Sequence, residues 1–180
     1  MRAITTILAV LALAGAAQSQ EFKRPRWASG PGGFDTRAQI LMARCGSVTI
    51  KGHHVQAATC KDAYTGLVIS TDTAPQSIQI DHLLPCGDAW HRRTWTAEEF
   101  KAFYNDADNL NITRARTNLR KGALLPDQWC PVLRGARIAS AVRYERIALR
   151  YRLPLSPQER AGLDLWKRGE CSRGAKVLGD

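Results

Sequence analysis

The apolar positions of the chain change period several times, and each change marks an expected element. Residues 3–17 are an unbroken apolar run, AITTILAVLALAGAA, ending in the small-residue sequence Ala17-Gln18-Ser19. Residues 20–34 are polar, rich in proline and glycine and aperiodic, and read as a flexible lead-in. Asp35 is placed to cap a helix over 36–44, with Ile40, Leu41 and Met42 as a partial apolar face. Between 47 and 70 the runs SVTI and GLVIS surround turn signals at Lys51-Gly52 and Tyr64-Thr65-Gly66, which predicts a small β-hairpin region. In SIQIDHLL the pattern alternates, with Ile78, Ile80 and His82 on one face, a strand period.

Thr96 with Glu99 three residues on forms a capping box that starts a helix running to about Tyr104. A turn-rich loop over 105–109 leads to a second short strand at 110–112. Thr113 is placed to cap a helix over 114–121, with Gly122 as its stop. From 132 onward Ile138, Val142, Arg146 and Leu149 recur at helical spacing, with arginines on the other faces. Ser156-Pro157-Gln158-Glu159 is a second capping box, starting a last helix that stops near Gly169. Mixed elements without repeats in 180 residues predict an α+β fold with one domain over 35–180.

Composition adds a compartment. A single charge, Arg2, precedes the apolar run, which is shorter than the roughly 20 residues that span a bilayer. This pattern predicts a cleavable signal peptide over 1–19, cut near Ser19, and a secreted or periplasmic mature chain without membrane attachment. Loss of Arg2 would lower the net charge from +10 to +9. A pI near 9.8 on such a chain points to polyanionic partners, nucleic acid foremost. The five cysteines, Cys45, Cys60, Cys86, Cys130 and Cys171, include no Cys-x-x-Cys pair, which argues against a zinc ribbon or a dithiol redox site. Two disulfides and one remaining thiol are expected. Spacing leaves about 15 arrangements open; the preferred one joins Cys130 to Cys171 and Cys45 to Cys60.

The chemistry-bearing residues concentrate in 78–121. Cleaving a phosphodiester requires an activated water, a countercharge for the crowded phosphate, and help for the departing oxygen. A histidine supplies the first, because its pKa lies near working pH. Asp81 is a hard anionic oxygen ligand and Asn118 a neutral one, and so small a protein ligand set suits Mg²⁺ or Mn²⁺ with open positions. Neighbours on a strand face opposite ways, so Asp81 and His82 can share a site only where the strand ends. On the expected helix, Arg114, Asn118 and Lys121 stand at i, i+4 and i+7. Each piece alone has an ordinary structural reading, as a cap, a turn or an exposed helix face. Their order on strand, loop, strand and helix carries the argument.

The set D-H-L-L-P at 81–85, D-N-L at 108–110 and N-x-x-K at 118–121 resembles the HNH nucleases of the ββα-metal (His-Me finger) fold. More narrowly it is similar to the group related to the C-terminal nuclease domain of GmrSD-type restriction systems. The similarity covers roughly 78–131, and Asn118 stands where the name-giving pattern has histidine. It implies His82 as general base, Asp81 and Asn118 as metal ligands, and Asn109 as organiser of the loop facing the base. Lys121 would contact phosphate or support the site, and Asp106 and Asp108 would shape the loop. Arg92, Arg93, Arg114 and Arg120 are further candidates for nucleic-acid contact, and the arginines of 134–152 form either a solvated face or a surface that tracks a phosphate backbone. The expected activity is endonucleolytic, on DNA ahead of RNA, with little sequence preference and a monomer assumed. The rival readings are a metal-independent ribonuclease using two histidines and a lysine, and a non-enzymatic cationic protein binding nucleic acid or envelope polymers.

Overall fold

The computed structural model describes residues 21–71 and 77–177; the expected signal peptide lies outside them. The fold is mixed α+β, with small sheets and six α-helices among the described residues. Asp35 caps α1 (Thr36–Arg44) by accepting from the Ala38 amide at 2.7 Å. An antiparallel meander follows, of β1 (Ser47–Lys51), β2 (His54–Lys61) and β3 (Val68–Ser70). The second of these strands went unrecognised, because HHVQAATC offers only one large aliphatic residue to mark a period. The Cys45–Cys60 disulfide ties the end of α1 to β2.

The central hairpin pairs β4 (Ile78–His82) with β5 (Leu110–Arg114), antiparallel, with Asp81 opposite Asn111 and His82 opposite Leu110. The long connection between them holds α2 (Cys86–His91) and α3 (Ala97–Tyr104). The reciprocal Thr96–Glu99 capping box forms as the sequence predicts, and so does the one at Ser156–Glu159. The short α2 was not legible: it has six residues, with Gly87 in its first turn. After β5 the chain enters α4 (Ala115–Lys121), whose stop is Gly122 at φ 51°, a left-handed conformation that glycine takes without steric cost. Thr113 does not cap this helix. It belongs to β5, and its hydroxyl donates to Asp62 Oδ2 at 2.8 Å.

The core divides into two apolar clusters. Ile78, Leu110 and Ile112 pack with Ile40, Leu41, Ala58, Cys60 and Ile69 beneath α1 and the meander. Leu83 and Leu84 join the larger cluster, with Trp95, Phe103, Trp129, Tyr144, Ile147, Leu163 and Trp166. That cluster is closed by α5 (Arg134–Arg150) and α6 (Pro157–Lys167), and by the parallel pair β6 (Trp129–Cys130) and β7 (Lys176–Val177). The Cys130–Cys171 disulfide fastens the C-terminal segment to β6. Gly162 lets α6 approach the 126–127 backbone, where a Cβ would lie 2.6 Å from the Asp127 nitrogen.

Two expectations for the peripheral segments change. The buried stripe of α5 is Ser140, Ala141, Tyr144, Ile147 and Ala148, whereas Val142 and Leu149 face solvent. Small residues let the helix seat closely, and the large aliphatics misled the periodicity. The lead-in is also not a loose tether. Phe22 packs edge-on against Phe100, the Ala28 amide donates to Asn105 Oδ1 at 2.8 Å, and Trp27 lies on Tyr104.

Glu159 is the electrostatic pivot of the helical layer. It is buried and accepts from Arg92 and from the Tyr144 hydroxyl, both at 2.7 Å. Burial raises its carboxyl pKa, but the Arg92 hydrogen bond and the other donors outweigh that and hold it below the ordinary value. A carboxylate with a depressed folded pKa stabilises the fold above its unfolded pKa and loses that contribution as pH falls through the folded value. Wild-type stability should therefore fall on acidification below about pH 4.3, measured by urea unfolding across pH. In Glu159→Gln this component should vanish, with a loss of about 1.5–3 kcal/mol at pH 7, because Arg92 keeps its pair with Asp88 but loses its second carboxylate.

Candidate functional site

Asp81 sits in the middle of a buried hydrogen-bond chain. Its Oδ2 accepts from the Tyr64 hydroxyl at 2.5 Å, and its Oδ1 from Lys121 Nζ at 3.0 Å. Burial pushes the Asp81 carboxyl above the ordinary range, opposed by the Lys121 charge and the Tyr64 hydrogen bond. The Tyr64 hydroxyl in turn accepts from Asn111 Nδ2 at 2.9 Å, and Asn111 Oδ1 accepts from Arg143 at 2.7 Å. Asp62 positions Tyr64. One of its oxygens accepts from the Tyr64 and Thr65 amides, at 2.8 and 2.9 Å, and the other accepts from the Thr113 hydroxyl and the Arg114 amide, at 2.8 and 2.7 Å. The turn after β2 is thereby fastened to β5.

His82 is the last residue of β4, and its ring goes a different way. Its Nε2 lies 2.7 Å from the Tyr104 carbonyl oxygen. A carbonyl only accepts, so this nitrogen carries the proton and Nδ1 keeps the lone pair. Trp27 stacks against the imidazole, with centroids 5.8 Å apart and planes 4° from parallel, and the Tyr104 ring packs at 4.6 Å. Burial pulls the His82 pKa down to about 4, well below the near-working-pH value expected from the sequence, so the ring is neutral at physiological pH. Asn109 shapes the turn beyond the strand: its Oδ1 accepts from the Leu84 amide at 2.8 Å, and its Nδ2 donates to the Leu84 carbonyl at 3.2 Å. Arg143 braces the same loop through the Asp108 and Leu110 carbonyls.

Asn118 stands on α4 and donates through Nδ2 to Gln79 Oε1 at 2.6 Å, which leaves its own Oδ1 available as an acceptor. Asp81, His82 and Asn118 all line one open cavity of about 680 Å³, together with Phe22, Arg24, Trp27 and Arg116. Adjacent strand positions reach one cavity because it lies at the strand end. Asp81 is held from beneath by Tyr64 and Lys121, while the His82 ring turns toward Tyr104.

The expected phosphate contacts fare differently. Lys121 is fully buried: its ammonium also donates to the His82 carbonyl at 2.8 Å and lies 5.5 Å over the Trp129 ring. It supports the site from inside and does not reach a phosphate. Arg92 is held by Asp88 and Glu159, and Arg93 by Glu99 and the Trp95 face, so both are structural. Arg137, Arg143 and Arg150 are likewise engaged within the fold, with loop carbonyls and with Asp106 and Asp108, whereas Arg134, Arg146 and Arg152 are exposed. Arg114 belongs to the end of β5, so it does not share a helix face with Asn118 and Lys121; Arg120 is exposed on α4. Neither lines the cavity. Cys86 does line it, as a buried free thiol that burial pushes up to about 12, and so is unreactive.

Sequence reasoning missed Tyr64, Tyr104, Trp27, Arg24 and Arg116. Tyr64 and Trp27 lie outside the motif stretch, and Tyr104 acts mainly through its backbone carbonyl, which no side-chain pattern advertises.

No family model matches the chain. It is 26% identical over 145 residues to a protein of Arthroderma benhamiae described as an uncharacterized secreted protein, which covers 78% of this chain and 70% of that protein. Secretion agrees with the two disulfides, which form and persist in oxidising compartments. The chain is a secreted, disulfide-bonded protein.

The buried ion pair separates a supporting lysine from a phosphate-binding one. Lys121→Met should cost about 3–5 kcal/mol by urea denaturation, since it strands a buried carboxylate. The Asp81→Asn, Lys121→Met double variant should recover much of that loss. A phosphate-contacting lysine would leave stability unchanged.

Proposed function

We propose that this chain is a secreted endonuclease of the HNH type, with β4, β5 and α4 as its ββα-metal core, hydrolysing phosphodiester bonds with little sequence preference. One observation carries the reading. A histidine with a free Nδ1 lone pair, an anionic oxygen and an amide oxygen converge on a single open cavity. Among the described residues that line it there is no second histidine, and its lysine neighbour is buried against Asp81, which favours this reading over a two-histidine ribonuclease.

The donor set fits a hard divalent cation. Each Asp81 oxygen has a lone pair beyond those used by Tyr64 and Lys121, and Asn118 Oδ1 is a neutral partner of the type Mg²⁺ or Mn²⁺ accepts. Bound there, the cation would supply charge stabilisation for the pentacoordinate phosphate and the leaving oxygen. The protein's own contribution is positional. His82 Nδ1 accepts the proton of the attacking water, and its Nε2–H stays on the Tyr104 carbonyl, so the ring keeps its orientation as it becomes cationic. Asn109 holds the loop, and Tyr64 and Lys121 hold the Asp81 carboxylate in one rotamer. No groove-reading module is present in the motif stretch, consistent with contacts to the phosphate backbone rather than to bases.

The test is plasmid and RNA digestion by the purified mature chain, with Mg²⁺ or with EDTA. Cleavage should need the divalent ion, and His82→Ala, checked for folding by circular dichroism, should lower the rate at least about 100-fold. Full activity in EDTA would sink the metal-dependent reading. Unimpaired cutting by His82→Ala would move the site elsewhere. Absence of cutting on every substrate would leave a binding protein.

A further inference from the structure

The arginines of this chain divide into two groups. Most are engaged inside the fold, as Arg44 is with the Leu110 and Ala107 carbonyls, at 2.7 and 2.8 Å. Arg24 and Arg116 are not. Both are exposed, both line the cavity around His82 and Asn118, and neither has a hydrogen-bond or ion-pair partner among the described residues. They come from different elements, Arg24 from the N-terminal segment and Arg116 from α4. Uncompensated guanidinium groups around a cavity are a phosphate-binding arrangement.

The cavity also continues beyond the reactive residues. A second recess of about 490 Å³ shares Arg24, Trp27, Gln79 and Asn118 with it and is also lined by Arg37, whose guanidinium donates to the Ile78 carbonyl at 3.3 Å. The two recesses thus run together as one groove, with Arg116 lining the first and Arg24 lining both. Its N-terminal wall is aromatic. Phe22 and Trp27 line it and are only half-buried, although Trp27 already lies over His82. Aromatic faces alternating with arginines are suited to a strand whose bases are exposed, because stacking is available only to an unpaired base. In a duplex the base faces are already stacked on one another, so reaching such a wall requires unstacking or flipping.

We infer that this groove takes an unpaired polynucleotide strand, single-stranded DNA or RNA, with phosphates on Arg24 and Arg116 and a base against the Trp27 wall. This deepens the endonuclease reading and rests on it for the identity of the reacting bond. It gives the N-terminal segment a role as one jaw of the substrate groove. Duplex substrates would be cut where they open.

Fluorescence anisotropy tests this with labelled 12-mers of single-stranded DNA, single-stranded RNA and duplex DNA, binding the full mature chain in EDTA so that nothing is cut. Single strands should bind at least about tenfold more tightly than the duplex. Arg24→Ala, Arg116→Ala should weaken single-strand binding about tenfold and reduce the steepness of its salt dependence by about 1.4, at roughly 0.7 per phosphate contact. Trp27→Leu should weaken it about tenfold, and Trp27→Phe should restore much of the loss. The DNA and RNA arms show which sugar the groove prefers. Equal or tighter duplex binding, or an unchanged salt slope in the double arginine variant, overturns the inference. Mg²⁺-dependent cutting of a plasmid with duplex-preferring binding would defeat this inference alone. Tight single-strand binding without any cutting would retain the groove and defeat the nuclease reading.

Discussion

The site depends first on burying one carboxylate. Placing a charged Asp81 beneath the cavity costs several kcal/mol unless its oxygens are matched, and the chain matches both. Much of the local architecture follows from that requirement. Lys121 must reach inward from α4, so the rotation of the helix is set, and Asn118, one turn earlier on the same side, is carried to the cavity rim. Tyr64 must reach Asp81 from the turn after β2, so that turn is clamped to β5 through Asp62. The meander and its Cys45–Cys60 bridge thus bear on the hairpin.

Cationic side chains do two kinds of work here, and net charge does not distinguish them. The loops between regular elements expose carbonyls that no strand or helix satisfies, and arginine, with five donors in a fixed fork, can serve several at once. Arg143 bridges the Asp108, Leu110 and Asn111 oxygens, and Arg137 bridges those of Pro131, Val132 and Gly169. Much of the excess positive charge is therefore structural.

Elements whose signals are local could be read from the chain. Both capping boxes, the Asp35 cap, the Gly122 stop, β4 and β5 are written within a few residues of where they act. The two disulfides were legible as a preference, and they form as preferred. Elements whose stability comes from elsewhere were not legible. Neither α2 nor the two-residue pair β6–β7 has a pattern of its own, and the α5 face is chosen by small residues. In the site, Asp81, His82, Asn109 and Asn118 stood out because they are the side-chain types that phosphodiester cleavage would draw on. Lys121, Arg92 and Arg93 could not be sorted, because burial decides between a phosphate contact and an internal ion pair, and burial is a tertiary property.

The stretch 78–121 therefore contains the candidate site residues without being sufficient to hold them. His82 takes its tautomer from Tyr104 inside the stretch, but one face of its ring lies against Trp27, far back in the lead-in. That lead-in has little regular structure, and irregular backbone must find partners for its amides or leave them in water. At Ala28 the partner is the Asn105 side chain, at the end of α3 and next to the residue whose carbonyl fixes His82. The same few ångströms of loop thus anchor the N-terminal segment and orient the histidine. Displacing the segment would uncover one face of His82 and remove Arg24 from the groove together, so the electrostatics and the aromatic packing of the site are coupled through a segment that the motif pattern does not include.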